Sequence, residues 1–416
     1  MTTVNASVLF KSATTSESVE CQVLRGSIAH GRDDPTTQPV ASTCVLELIG
    51  DLPALAVIGT RVEARATVVT ARPHSFVRFV GEITDIKVAW DSVSLTKPQI
   101  IAAGYIGRMG RRLVGATPYP SELDGARVNR AITDAAVPTD PFLTDPGTVN
   151  VLARDVDRRA ALDVAHDAAE DGGGILWEDR NGRVLYADTE HRRNAPISAT
   201  LDACDVSVGL EWQQSLEGLI NDIYIRYGLP IAEYHASDAD MVAQYGVYGG
   251  SLSTRLQDEA DAIKRADIII ARQARPIWVV SGVEVNLNFL TENEASALIN
   301  VDVHSLIKLI NLPATSPVSE ALLWVEGVRE TIEPDSWLFS MAVSDYCRTA
   351  GATRWNDLPQ SLTWDTLDPN MTWNEVSCIA PDPVGGAWDT TDPALRWDTV
   401  SSNVLWDQWG TGPSAP

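Results

Sequence analysis

The chain of 416 residues has no run of about 18 apolar residues, so no helical membrane span is expected. Its N-terminus, MTTVNASVLFKSATTSESVE, lacks a basic start followed by an apolar core, so no secretory signal is expected either. Cysteine is scarce. There are five, at 21, 44, 204, 347 and 378, with no C-x-x-C pair. Free thiols in a protein assembled in reducing cytoplasm are the expectation, although Cys21 and Cys44 could lie on neighbouring strands. Positive charge is in short supply: 32 Lys and Arg stand against 56 Asp and Glu, a net charge of −24. Such a protein is not built to grip nucleic-acid phosphates or anionic lipid. A G-x-S-x-G elbow, an H-E-x-x-H helix, a P-loop and a zinc-type cysteine pair are all missing. No cofactor, no metal and no enzymatic activity are expected.

What is present begins with strands. Within residues 1–112, Arg61 to Val69 alternates, with Val62, Ala64, Ala66 and Val68 on one face. Ser75 to Trp90 and Val93 to Tyr105 continue in that style. Gly104 to Gly125 reads as a glycine-rich connector. Gly104, Gly107 and Gly110 are not a dinucleotide fingerprint, because no helix is expected to open there. Arg108, Arg111 and Arg112 should pair with this acidic protein or its neighbour. His74, after Pro73, reads as a loop residue.

Two helices follow. Ala126–Ala136 puts Val128, Ala131, Ile132 and Ala135 on one face. The next, opened by Asp155 or Asp157, carries Ala161, Leu162, Ala165, Ala168 and Ala169, and Gly172-Gly173-Gly174 stops it. Asn181-Gly182 then predicts a two-residue hairpin turn that pairs Trp177 with Tyr186. His166 and Glu170, four apart on the helix, could touch one metal, but two ligands do not make a site. Asp167 and Asp171 read as solvent-facing acids, and Glu178-Asp179 as solvated carboxylates beside the turn. Ser253 to Ala274 is the longest helix candidate, with Leu256, Ala260, Ile263 and Ile270 on one side and Pro276 as its stop.

These segments, in this order, resemble the tail-hub or minor tail proteins of tailed bacteriophages, of the actinobacterial siphophage type. The resemblance rests on five pieces. They are the Gly31-Arg32-Asp33-Asp34 turn with the strand to Leu48, and Phe79-Val-Gly-Glu-Ile-Thr-Asp-Ile86. The helix and hairpin with W-x-D-x-x-G-x-V-x-Y come next, then Leu219 to Tyr227 as a return strand. Last comes Glu326-Gly327-Val328 with Trp337. The histidine usual after that E-G-v is absent; Glu330 and Thr331 stand there. Together the pieces span about residues 20 to 345.

The resemblance implies an α+β, mainly β protein: two barrel-like antiparallel β domains around an inserted helix-plus-hairpin module. The expected layout is 1–112 as the first β domain, completed by a return strand near 216–228. The inserted module is 113–215, a long helix and second β domain 229–350, and an extended Trp-repeat tail 351–416. The function implied is a structural subunit of the tail tip, or baseplate hub, in the virion. It would cap the tube as a homotrimer, match three-fold to six-fold symmetry and form part of the DNA exit channel. Its partners would be the distal tail ring, the tape measure protein and further minor tail proteins, with phage DNA passing unbound and no membrane insertion.

The tail carries a repeat of its own. Trp355, Trp364 and Trp373 are nine apart, as are Trp388, Trp397 and Trp406, each followed by Asp or Asn. Neither one helix nor one strand shows all six to one partner at that spacing. A Trp-anchored strap across this protein or a neighbouring subunit is the expectation, and these six are the candidate partner-binding residues. The alternative is a host-surface carbohydrate or receptor-binding tail protein, in which exposed Trp faces stack on sugars. A third reading, a glycoside hydrolase, needs two carboxyl groups about 5–10 Å apart in one cleft.

Overall fold

The computed structural model describes residues 3–12, 16–69, 74–91, 95–194, 196–206, 210–280, 282–334 and 336–346. All six Trp of the C-terminal repeat lie outside them, as do Cys347 and Cys378. The described chain is mainly β.

Six strands come first: β1 Thr3–Lys11, β2 Ser18–Gly31, β3 Thr43–Leu48, β4 Arg61–Val69, β5 His74–Asp91 and β6 Leu95–Ala103. Antiparallel ladders join β1 to β4, β4 to β5, β5 to β6, β6 to β3, β3 to β2 and β2 back to β1. The ladders therefore form a closed cycle, and every strand in it has a neighbour on both sides. Val62, Ala64 and Ala66 of β4 are buried, as their alternation requires. His74 is the first residue of β5 rather than a loop residue, paired with Val68 across the ladder. Cys21 and Cys44 are both free thiols.

A second group of strands grows out of β2. Gly26 to Gly31 pairs with residues 327–332 of the strand Ala321–Glu333. That strand also pairs with Leu306–Ile310 and with Ser336–Asp345. Ile197–Asp202 runs parallel to Leu306–Ile310, and Gly282–Asn286 antiparallel to Ser336–Asp345. A bridge joins Val206, four residues beyond Ile197–Asp202, to Val285 of Gly282–Asn286. One apolar core, including Val62, Ile83, Ile100, Val325, Trp337 and Phe339, runs through both groups.

Between them lies the helical module. Helix α1 is Tyr105–Met109, α2 is Asp124–Ala135 and α3 is Ala161–Gly172. Val128, Ala131, Ile132 and Ala135 of α2 pack on Val164, Ala165, Ala168 and Ala169 of α3, close to the expected faces. The start of α3 is not capped by Asp155 or Asp157. Its N-cap is Ala160, without a side-chain bond, because Arg159 and Ala160 are drawn into a ladder with Leu113 and Val114. Gly173 supplies the left-handed stop at φ 75°.

The hairpin Ile175–Glu178 and Val184–Ala187 forms in a different register from the expected one. Trp177 faces Leu185, and Tyr186 faces Leu176. The Asp179 N–H donates to the Arg183 carbonyl (3.0 Å) and the Gly182 N–H to the Asp179 carbonyl (2.9 Å). This is a three-residue loop with Gly182 alone left-handed, at φ 73°. The Asp179 carboxylate decides the matter by accepting the N–H groups of Asn181 (3.0 Å) and Arg183 (2.8 Å).

The return strand is a correction. Asp222–Tyr227 pairs with Ala232–Ser237 and Gly249–Ser253 in a separate three-stranded sheet, not with the first β group. The edge that the cycle leaves open, Gly26 to Gly31 of β2, is taken by residues 327–332. Helices α4 (Ala239–Tyr245) and α5 (Glu259–Gln273) follow. Ile223 and Ile225 bury themselves instead against Ala262, Ala266 and Ile269 of α5. That is also why α5 starts later than Ser253, which belongs to a strand, and why its packed face excludes the exposed Ala260. Helix α6, Glu292–Ile299, opens with a capping box of Thr291 and Glu294. No helix among the described residues is long and apolar enough to cross a membrane.

Candidate functional site: a buried charged junction and its cleft

The two strand groups and the hairpin meet at two carboxylates on one strand. Glu326 and Glu330 are both about 1% exposed. Arg32, at the end of β2, donates to Glu326 Oε2 from Nε (2.9 Å) and Nη2 (2.6 Å). Arg192, in the 3₁₀ turn after the hairpin, donates from Nη1 to Oε1 (2.7 Å) and from Nη2 to Oε2 (3.0 Å). The Ser344 hydroxyl completes the set. Burial pushes the Glu326 carboxyl up. The guanidiniums, Arg192 foremost, reverse this and hold it well below the usual carboxylate range. Backbones cross closely here. A Cβ on Gly31 would meet the Glu326 carbonyl at 2.3 Å, and one on Gly327 the Arg32 carbonyl at 2.4 Å. Only glycine fits at either place.

Glu330 makes the second pair. Arg78, on β5, donates to it from Nε (2.9 and 3.0 Å) and Nη2 (2.6 Å), and from Nη1 to the Ile299 carbonyl (2.6 Å). Trp337 Nε1 donates to Oε2 of the same carboxylate (2.9 Å). The hairpin tip is seated beside this pair. Arg180 Nη1 also donates to the Ile299 carbonyl (2.6 Å).

Aromatic faces cover the junction. His304 stacks on Trp177 with centroids 4.5 Å apart, and Arg192 lies over Trp324 at 5.1 Å. Burial, with Arg192 adding to it, keeps the His304 imidazole neutral, well below its ordinary pKa. Beside the junction opens a cleft of ≈ 830 Å³, lined by Arg32, Arg192, His304, Arg265 of α5 and Val343 to Asp345, among others.

Several residues stand elsewhere than expected. Glu178 and Asp179 are buried, not solvated. Glu178 takes the N–H groups of Tyr105 and Ser42, so α1 does open at Gly104, with this carboxylate at its start. Arg108, as expected, pairs with an acid of this chain, Glu82 (3.3 Å). Asp171 is also buried, accepting the Arg255 N–H (3.1 Å), while Asp167 pairs with Arg159 (2.7 Å). Among the described residues no three His, Cys, Asp or Glu side chains converge to hold a metal, His166 and Glu170 included. Arg78, Arg192 and His304 were not singled out from sequence, and Glu330 was noted only as standing where the family has a histidine. The available signal was a pair of acids four apart, Glu326 and Glu330, on one face of a strand that begins apolar, ALLWVEGVRETIE.

Asp171 yields a pH prediction. Burial raises its carboxyl to about 7. The folded state therefore holds a proton that the unfolded state releases near 4. Stability contributed by this site falls as pH rises from about 4 to 7 and is flat above. Asn keeps an acceptor for Arg255 and removes the titration. We expect Asp171→Asn to be more stable than the parent by about 4 kcal/mol at pH 8, with a smaller difference at pH 5. Urea titrations at both values measure this; an equal difference at the two rules out Asp171 as the source.

No protein-family model matches this sequence, and no curated protein matches it. Solved structures do match in fold. The tail protein from Neisseria meningitidis MC58 superimposes with TM-score 0.59 at 10% identity, over 83% of this chain and 98% of that one. The 43 kDa tail protein of prophage MuSo2 from Shewanella oneidensis gives 0.59 at 9%, over 82% and 98%. Prophage tail protein gp18 from Listeria monocytogenes EGD-e gives 0.51 at 8%, over 81% and 94%. At these identities the likeness is one of fold.

Proposed function

We propose that this chain is a non-enzymatic structural subunit of a bacteriophage tail, placed at the tail tip as the hub that caps the tube. The observation that carries the reading is a fold shared with two prophage tail proteins over nearly their whole length. The cycle β1 to β6 and the strand group around Ala321–Glu333 are read as two barrel-like domains. Three copies would then present six related rings to a six-fold tube, with the distal tail ring, tape measure protein and further minor tail proteins as neighbours. The test is mass in solution and position in an intact particle. A trimer, three times the 45.1 kDa chain, seated at the tube end is expected. A stable monomer found on side fibres would rule the hub out.

The charge of −24 suits a channel wall that DNA does not adhere to. We expect no duplex DNA binding tighter than about 1 µM in moderate salt, measured by fluorescence anisotropy. Tighter, salt-sensitive binding would remove the channel role.

The six Trp of the C-terminal repeat are proposed as anchors. Trp355, Trp364 and Trp373 replaced together by Ala should impair tail assembly while leaving the melting of residues 1–346 unchanged. Normal assembly with unaltered protease resistance of the repeat would dismiss the anchors.

A further inference from the structure

Most charges lining the cleft are already satisfied. Arg32 and Arg192 hold Glu326, Asp33 pairs with Arg329 (2.6 Å), and Asp188 accepts the N–H groups of Glu190 (2.9 Å) and His191 (3.2 Å). Two donors are not. The Nε of Arg265 and the Nε2 of His304 are buried and have no hydrogen-bond partner among the described residues. His304 is 7% exposed, and its Nδ1 accepts from Arg192 Nε (3.4 Å). The neutral ring therefore carries its proton on Nε2. The Arg265 Nε–H and the His304 Nε2–H, each without an acceptor at the border of one cleft, select a carboxylate. Beside them the wall is apolar, with Leu219, Ile220, Ile268 and Ile277.

We infer that this cleft is the seat of the chain's own C-terminal segment, with a carboxylate of a Trp-Asp or Trp-Asn-Asp repeat meeting Arg265 and His304 and the adjoining Trp covering the apolar wall. The inference does not depend on the tail-tip reading. Two observations choose this occupant. Val343, Ser344 and Asp345 line the cleft, and the sequence continues from Tyr346 directly into 347–416. That segment carries nine carboxylates against three arginines, and no lysine. Its first, Asp357, lies eleven residues beyond Tyr346, within about 36 Å along an extended chain.

The test uses the full chain, with p-benzoylphenylalanine in place of Trp364 and hydrogen exchange read over residues 347–376. Irradiation should give intramolecular cross-links to α5 and to residues 219–220. Asp357→Asn, Asp365→Asn and Asp368→Asn together should speed exchange of the segment about tenfold and lower the cross-link yield to match. Arg265→Gln should do the same, and combining the two sets should add nothing further, because both remove one interaction. If Arg265→Gln fails to fold, the three Asp→Asn changes carry the test alone. Cross-links to a second copy or to another surface overturn the inference, and so does exchange that is indifferent to the acid substitutions.

Discussion

Glu326→Ala is expected to lower stability by about 3–5 kcal/mol, the range for removing one partner of a buried ion pair. The reason lies in what remains. Arg32 and Arg192 are both charged and both buried, and each aims two N–H groups at this one carboxylate. Alanine leaves two like charges facing each other with no acceptor between them. Urea denaturation at pH 7 measures the loss. A second signature comes from acid. The folded pKa of Glu326 is depressed, so its contribution is complete above the unfolded value near 4.3 and disappears as pH falls through the folded one. The parent chain should therefore lose stability below about pH 4 more steeply than the variant. A loss under about 1 kcal/mol at neutral pH would mean that the junction relaxes and admits water.

The same junction explains which parts of the fold were legible in the sequence. Elements with one apolar face and near neighbours could be read: β4 with Val62, Ala64 and Ala66, and α2 with Val128, Ala131 and Ile132. Their periodicity is local, and so is the packing that satisfies it. The hairpin was visible but its register was not. The register depends on the Asp179 carboxylate choosing N–H groups in its own turn, which outweighed the Asn-Gly preference. The strand Asp222–Tyr227 was visible as a strand while its partners were not, because pairing depends on which edges the rest of the fold leaves open.

The candidate site shows the opposite case. Arg32, Glu326, Gly327 and Trp337 were noticed as pieces of a resemblance, far apart in the chain and without a physical reason. The structure supplies the reason: they meet at one crossing of backbones, where glycine permits the approach and the charges close it. Arg78 and Arg192 had no such mark. A single arginine in a strand or after a hairpin reads as a solvated residue until the opposing carboxylate is known.

Arg78→Met should cost about 3–5 kcal/mol on the same physical ground, from the other side of the pair. It strands the Glu330 carboxylate, with Trp337 Nε1 as its remaining donor, and removes one of two donors to the Ile299 carbonyl. It also withdraws the guanidinium lying 5.6 Å from the Trp337 ring and 5.4 Å from that of Phe339. Methionine fills much of the volume, so the loss should come from the unpaired charge rather than a cavity. That distinction can be measured. Adding Glu330→Gln removes the stranded charge while leaving an oxygen for Trp337, and the double variant should recover about half of the loss or more. Chemical denaturation of the two single variants and the double closes the cycle. A double variant as unstable as the sum of the two singles would show that Arg78 acts by packing, and that the charge on Glu330 is not what fastens β5 to the second group of strands.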